Sequence, residues 1–244
     1  MEKILESLSI VIPVYNEKES VRNAVLKCID ILSKDFTDYE VILVDDGSTD
    51  GTEEIVKELS NQYPQIISIF NYVNLNQGIS IQKGFMAASK EYIVHNAIDL
   101  PLAINRVSSL IADAKKCDLL VIERKHYEGY RVWRLTTSIV NRSLRRLLFP
   151  RLSRHIHDMN FTQIYNRNTI NKIMPLAKSP AFTTPEMIYR AMMNGFNVKS
   201  VKMEYQPRSR GKGAFGKPHD ILWSLYDMLR FRIKSFKIKN IRTN

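Results

Sequence analysis

The chain has 244 residues, 44% of them hydrophobic and 25% charged, enough for one large core or two small ones. No stretch approaches the ~20 uninterrupted apolar residues of a membrane-spanning helix, and the first residues have neither the basic start nor the apolar run of a signal peptide. With two cysteines, Cys28 and Cys117, and five histidines at no zinc spacing, a disulfide framework and a structural zinc site are disfavoured, which points to a globular protein of a reducing cytoplasm.

Charge divides the chain: residues 1–122 sum to −7 and residues 123–244 to +18, so the two halves face different partners. In the acidic half, Leu8–Val14 and Glu40–Val44 are short β-branched apolar runs ended by turn residues, the pattern of buried strands. Val21, Ala24, Val25, Cys28 and Leu32 between them, and Ile55, Val56 and Leu59 after them, recur at helical spacing. Further strands are expected at Ile66–Phe70, Tyr92–Val94 and Leu119–Ile122, with helices near Ile79–Ala88 and Ile104–Lys115. This βα alternation predicts an α/β, Rossmann-like, mostly parallel sheet with helices on both faces. Past residue 123 the alternation weakens, leaving a helical pattern at Pro185–Asn194, a strand at Val198–Tyr205 and a basic amphipathic stretch at the end.

Parallel sheets bind ligands at the carboxyl ends of their strands. The loops there are Tyr15-Asn16-Glu17, Asp45-Asp46-Gly47-Ser48-Thr49-Asp50 and His95-Asn96-Ala97-Ile98-Asp99. Carboxylates at those places accept hydrogen bonds from a nucleoside or ligate a hard cation. Ser48 and Asp50 read as caps of the following helix, whereas Asp45 and Asp46 read as functional.

Ile10-Val11-Ile12-Pro13-Val14-Tyr15-Asn16-Glu17 together with Val44-Asp45-Asp46-Gly47-Ser48-Thr49-Asp50-Gly51-Thr52 resembles the opening of a family 2 glycosyltransferase. The resemblance covers residues 8 to about 216, and implies a GT-A domain at 1–217, with a nucleotide-binding half at 1–122 and an acceptor half at 123–217, followed by a basic helix at 218–244. It implies inverting transfer from a nucleotide-diphosphate sugar, with Pro13, Tyr15, Asn16, Glu17, Asp45, Asp46, Gly78, Lys83 and Asp99 around the donor. The family's Asp-x-Asp falls on Ala97-Ile98-Asp99, so the first carboxylate is missing. Mg²⁺ or Mn²⁺ is still expected on Asp99, because Mg²⁺ keeps water and takes phosphate oxygens. The alternative for Asp99 is a cap before the helix near Ile104.

The basic half is most similar to the dolichol-phosphate mannose synthase and polyprenyl-phosphate transferase branch. Asp158 opens Asp158-Met159-Asn160-Phe161-Thr162-Gln163-Ile164-Tyr165, similar to that branch's Asp-x-x-x-Gly-Phe region but without its glycine; it either orients the acceptor or pairs with arginines at 142, 145, 146, 151 and 154. Glu186 stands where related hydroxyl-directed transferases carry a base, or is a first-turn helix carboxylate after Pro185. Arg208-Ser209-Arg210-Gly211 resembles a phosphate-binding segment, and arginine's planar fork suits that task. The last stretch places Leu222, Leu225, Tyr226, Leu229, Ile233 and Phe236 on one stripe flanked by lysines and arginines, with Phe231 opposite. That stripe fits an anionic membrane surface, packing on the domain, or a homodimer contact.

The resulting expectation is a glycosyltransferase, peripheral at the inner face of the cell membrane, acting on a lipid-linked acceptor such as polyprenyl phosphate. Transfer to a sugar hydroxyl in cell-surface polysaccharide synthesis, and a non-catalytic nucleotide-sugar-binding protein, are the alternatives. Nucleic acid is not expected as a partner, because the cations do not interleave with aromatics and carboxylates line the strand ends.

Overall fold

In the computed structural model, which describes residues 3–125, 132–150, 156–177, 179–203 and 218–242, the apolar runs become strands. They are β1 (Leu8–Val14), β2 (Tyr39–Asp45), β3 (Ile66–Phe70), β4 (Tyr92–His95), β5 (Leu119–Arg124), β6 (Gln163–Asn166) and β7 (Val198–Met203). The helices are α1 (Val21–Asp35), α2 (Thr52–Gln62), α3 (Gln77–Ala87), α4 (Ile104–Ala114), α5 (Val132–Leu148), α6 (Arg167–Ile173), α7 (Pro180–Met193) and α8 (Pro218–Arg242). The strands form one sheet in the order β3-β2-β1-β4-β6-β5-β7, in which β6 runs antiparallel to both β4 and β5 and the other pairings are parallel. The carboxyl ends of β1, β2, β4 and β5 therefore meet at one edge.

Side-chain alternation along the strands sorts two cores onto the two faces. Leu8, Ile10, Ile12 and Val14 of β1 point to the side covered by α1, α2 and α4. Val11, with Ile42, Val44 and Ile93, points to the side covered by α3, α6, α7 and α8. The contact of α3 with β1 is close enough that a Cβ on Gly84 would overlap the Val11 side chain, so glycine is required there. Phe149, Phe182, Tyr189 and Phe231 form an aromatic cluster in the second core, with Phe149 and Tyr189 centroids 4.7 Å apart. At the amino edge, buried Glu40 is saturated: it accepts from the Ser9 hydroxyl at 2.6 Å and from the Ser89 N–H and hydroxyl, each at 2.7 Å.

The basic half departs from the expected elements. Helix α7 begins at Pro180, behind Ser179, so Pro185 lies inside the helix and Glu186 is not a first-turn residue. Both Ser-Pro and the second proline look like helix starts, and the sequence reading chose the later one. Helices α5 and α6 were not expected, and Tyr205 lies outside the described residues. No helix among the described residues is long and apolar enough to cross a membrane.

Candidate active site

The loops after β1 and β2 are laced together. Asn16 N–H donates to the Ser48 hydroxyl (3.0 Å), Thr49 N–H to Asn16 Oδ1 (2.8 Å), Glu17 N–H to Thr52 Oγ1 (2.9 Å) and Lys18 N–H to Asp50 Oδ2 (3.1 Å). The cap residue of α2 is Gly51, not Asp50 or Ser48; Asp50, one residue earlier, accepts from Thr52 N–H, and Ser48 serves the lacing. Partial burial pushes the Asp50 carboxyl up, but the Thr52 hydroxyl and the N–H groups of Lys18 and Thr52 outweigh that and leave it below the usual carboxylate range. Pro13 lies within β1 beside Val44, Tyr15 is exposed at the rim, and Glu17 accepts from the Ser20 hydroxyl.

The two aspartates are buried and differently engaged. Asp45 Oδ1 accepts from Ser48 N–H at 2.8 Å, and its Oδ2 has no partner among the described residues. Asp46 Oδ1 accepts from the Asn71 amide at 2.8 Å and from Leu75 N–H at 2.9 Å. Asn71 in turn donates to Ser80 and accepts from the Lys83 ammonium. Lys83, expected at the donor, holds the amide that fixes Asp46. Gly47 makes this wall possible: at φ +75° it sits so close to the 73–74 backbone that a Cβ would lie 2.6 Å from the Val73 carbonyl carbon. Gly78 is buried in the first turn of α3.

Asp99 lies in the loop after β4, with both carboxylate oxygens shielded from solvent. It does not cap α4, whose cap residue is Ala103. Asn96 shapes the loop, donating to the Leu102 carbonyl at 2.8 Å and accepting from Ala97 N–H at 3.1 Å. Asn16, Asn76 and Leu100 are the non-glycine residues with positive φ among those described, and all three flank this edge. For leucine that conformation costs about 1–2 kcal/mol, strain of the kind that collects at functional sites. His95, at the seam between β4 and the acceptor half, accepts no proton readily: burial lowers its pKa to about 4 despite a hydrogen bond with the Phe161 backbone.

The second half of the chain contributes a cavity of about 470 Å³ lined by Glu123, Arg124, Lys125, Arg142, His157, Asp158 and Lys202. Its carboxylates are committed. Asp158 forms a two-point pair with Arg124, at 2.6 and 3.0 Å, a partner not named from sequence. Glu123 accepts from the N–H groups of His157 (2.7 Å) and Asp158 (3.1 Å). Arg142 Nε is buried without a hydrogen-bond partner among the described residues, so the cavity carries uncommitted positive character. Glu186 is 2% exposed, and its oxygens accept from the N–H groups of Leu176 (3.1 Å) and Ala177 (2.7 Å) and from Arg190 (2.7 Å). Arg208 lies outside the described residues.

Sequence reasoning missed Asn71, Glu123 and Arg124, and named Asn96 only as part of a loop and Arg142 only as a partner for Asp158. Asn71 and Arg124 had a signal available, since each sits at the carboxyl end of a strand.

A nucleotide-type sheet with carboxylates at its edge and a mixed extension beyond β4 is the GT-A architecture, and the protein is a glycosyltransferase. The model of the family described as glycosyl transferase family 2 matches residues 9–196, and the chain belongs to that family. Undecaprenyl-phosphate 4-deoxy-4-formamido-L-arabinose transferase of Aeromonas hydrophila is 23% identical over 92% of the chain and 67% of its own length. The enzyme of that description from Proteus mirabilis is 34% identical over 47% of the chain and 35% of its own length. Among solved structures, glucosyl-3-phosphoglycerate synthase of Mycobacterium tuberculosis, in complex with Mn²⁺, uridine diphosphate and phosphoglyceric acid, superposes with a TM-score of 0.67 at 18% identity, covering 93% of this chain and 78% of that one.

Proposed function

We propose that the protein transfers a sugar from a nucleotide-diphosphate donor to a lipid-linked phosphate, of which polyprenyl phosphate is the simplest case. The observation that carries this reading is the division of one sheet edge: a buried carboxylate, Asp45, with an oxygen to spare at the end of β2, and a cavity with positive charge to spare after β5. The undecaprenyl-phosphate transferases among its relatives, and the uridine diphosphate held by its structural neighbour, support it.

Asp45 and Asp46 would receive the nucleoside through charge-assisted hydrogen bonds, with Tyr15 at the rim. Arg124, Arg142 and Lys202 would hold the acceptor phosphate, and the glycine-rich segment around Arg208 would add a further anion contact. One phosphate oxygen attacks the anomeric carbon from the face opposite the diphosphate, the carbon–oxygen bond to the diphosphate breaks, and configuration inverts. A phosphate acceptor needs no base, because its second pKa near ~6 leaves it largely ionised at neutral pH. Glu186 then keeps the 176–177 backbone in place, and Asp158 is a positioning residue that aims Arg124.

No group of three or more His, Cys, Asp or Glu among the described residues forms a metal cage. The residues fit a cation held chiefly by the donor: Asp99 would hold Mg²⁺ or Mn²⁺ together with phosphate oxygens and water, and the ion would neutralise the leaving diphosphate. On this reading the protein works peripherally at the inner face of the cell membrane.

A thermal-shift screen of nucleoside diphosphates and their sugars, with and without Mg²⁺ or Mn²⁺, tests the donor half. A true donor at a hundredfold excess over its Kd should raise Tm by about 5–10 °C. No shift from any nucleotide would overturn the reading.

A further inference from the structure

Helix α8 is mounted with its apolar stripe outward. Leu222, Tyr226, Leu229 and Ile233 share one face by their spacing and are 67, 55, 43 and 59% exposed. Trp223 is exposed beside them, edge-on to Tyr226 with centroids 5.8 Å apart. The opposite face presents Ser224, Asp227, Met228, Phe231 and Ser235 to the protein, all buried. A helix on the surface of a water-soluble domain has the reverse arrangement.

Specific contacts fix this orientation. Asp227 Oδ2 accepts from Ser179 N–H at 2.9 Å, tying α8 to the start of α7. Phe231 completes the aromatic cluster, 5.6 Å from Phe149 and 5.9 Å from Phe182, with the Arg190 guanidinium 5.5 Å from its ring centre. Half a turn of the helix would hide the stripe only by breaking that hydrogen bond and exposing Phe231. The outward stripe is therefore a property of the fold.

The charge around the stripe selects its occupant. Between residues 222 and 235 the cations are Arg230, Arg232 and Lys234, and the one acid, Asp227, is buried. A two-fold contact between copies would bring the same cationic face against itself, and residues 222–235 hold no exposed acid to answer it. A lipid surface meets both features: the apolar side chains enter the acyl boundary while the cations reach anionic headgroups. We propose that α8 is an in-plane docking helix for an anionic lipid surface. This deepens the lipid-acceptor reading and rests on it for its purpose, but its test involves no sugar transfer, so either can fail alone.

The experiment is co-sedimentation of the full chain with phosphatidylcholine vesicles, with and without phosphatidylglycerol, at low and high salt. The protein should pellet with the anionic vesicles, and less so at high salt. Leu229→Glu combined with Ile233→Glu, both at exposed positions, should weaken binding roughly tenfold or more with Tm unchanged. Independently of that variant, vesicles should shift the protein's tryptophan emission to the blue, and Trp223→Phe should abolish the shift. Equal pelleting of the double variant, or no emission shift, would overturn the proposal. So would a solution dimer that the double variant converts to monomer, which would make a second copy the occupant.

Discussion

The two sides of the carboxyl edge handle buried charge in opposite ways. At the end of β2, Asp45 and Asp46 each take their protein hydrogen bonds on one oxygen, and Asp45 Oδ2 is buried with no partner among the described residues. On the acceptor side, Asp158 and Glu123 are consumed by Arg124 and by backbone N–H groups, and Arg142 keeps a donor to spare. Glu40, at the far edge of the same sheet, shows what a purely structural carboxylate looks like here: both oxygens are occupied. A site is thus marked less by the presence of charge than by charge with unspent hydrogen-bonding capacity.

The largest expected effect comes from breaking the acceptor side. Arg124→Ala removes the two-point partner of the buried Asp158 carboxylate, and breaking a buried pair ordinarily costs about 3–5 kcal/mol, to be read as lost denaturant stability together with lost transfer. Arg124→Lys should recover most of the stability and little of the transfer, because lysine lacks the two-point fork.

The seam between the sides should respond to acid. His95 takes a proton at about 4 when folded and near 6.5 when unfolded, so its contribution is complete above pH ~6.5 and is lost as pH falls toward 4. The expected loss is about 3 kcal/mol, and urea titrations between pH 7.5 and 4.5 should show it flattened in His95→Phe.

On the donor side, Asp46→Ala should weaken binding of a nucleotide diphosphate by about ten- to a hundredfold in calorimetric titration, the usual range for a hydrogen bond to a charged group. Lys83→Met should produce a smaller loss in the same direction, since Lys83 reaches the site through Asn71. Unchanged affinity in both would make the Asp46 wall a loop anchor only.

The smallest effect expected is on turnover of Glu186→Gln, which should stay within about tenfold, whereas loss of a general base commonly costs ~100-fold or more. A dead but folded Glu186→Gln would move the acceptor from a phosphate to a hydroxyl.

The sequence disclosed these two sides unequally, for a physical reason. Donor-side elements follow local rules: β1 and β3 run over the residues their apolar patterns predict, and Asp45 and Asp46 are adjacent to the strand that carries them. The acceptor side depends on pairs far apart in the chain. Arg124 and Asp158 are 34 residues apart, so no spacing rule joins them, and only arginines nearer in the chain suggest themselves as partners. The link from Lys83 through Asn71 to Asp46 joins three elements and has no spacing signature either. The apolar stripe of α8 was plain in the sequence. Which way it faced was settled by Asp227 and Phe231, whose partners lie on α7 and beyond it.

The central claim is that unspent positive charge after β5 receives a phosphate nucleophile. It is tested most directly by following sugar transfer from the donor identified by thermal shift to matched acceptors, polyprenyl phosphate and the corresponding polyprenol. Transfer to the phosphate alone, lost in Arg124→Lys and retained in Glu186→Gln, is the predicted result. Equal transfer to the alcohol, or transfer to the alcohol alone, would contradict it.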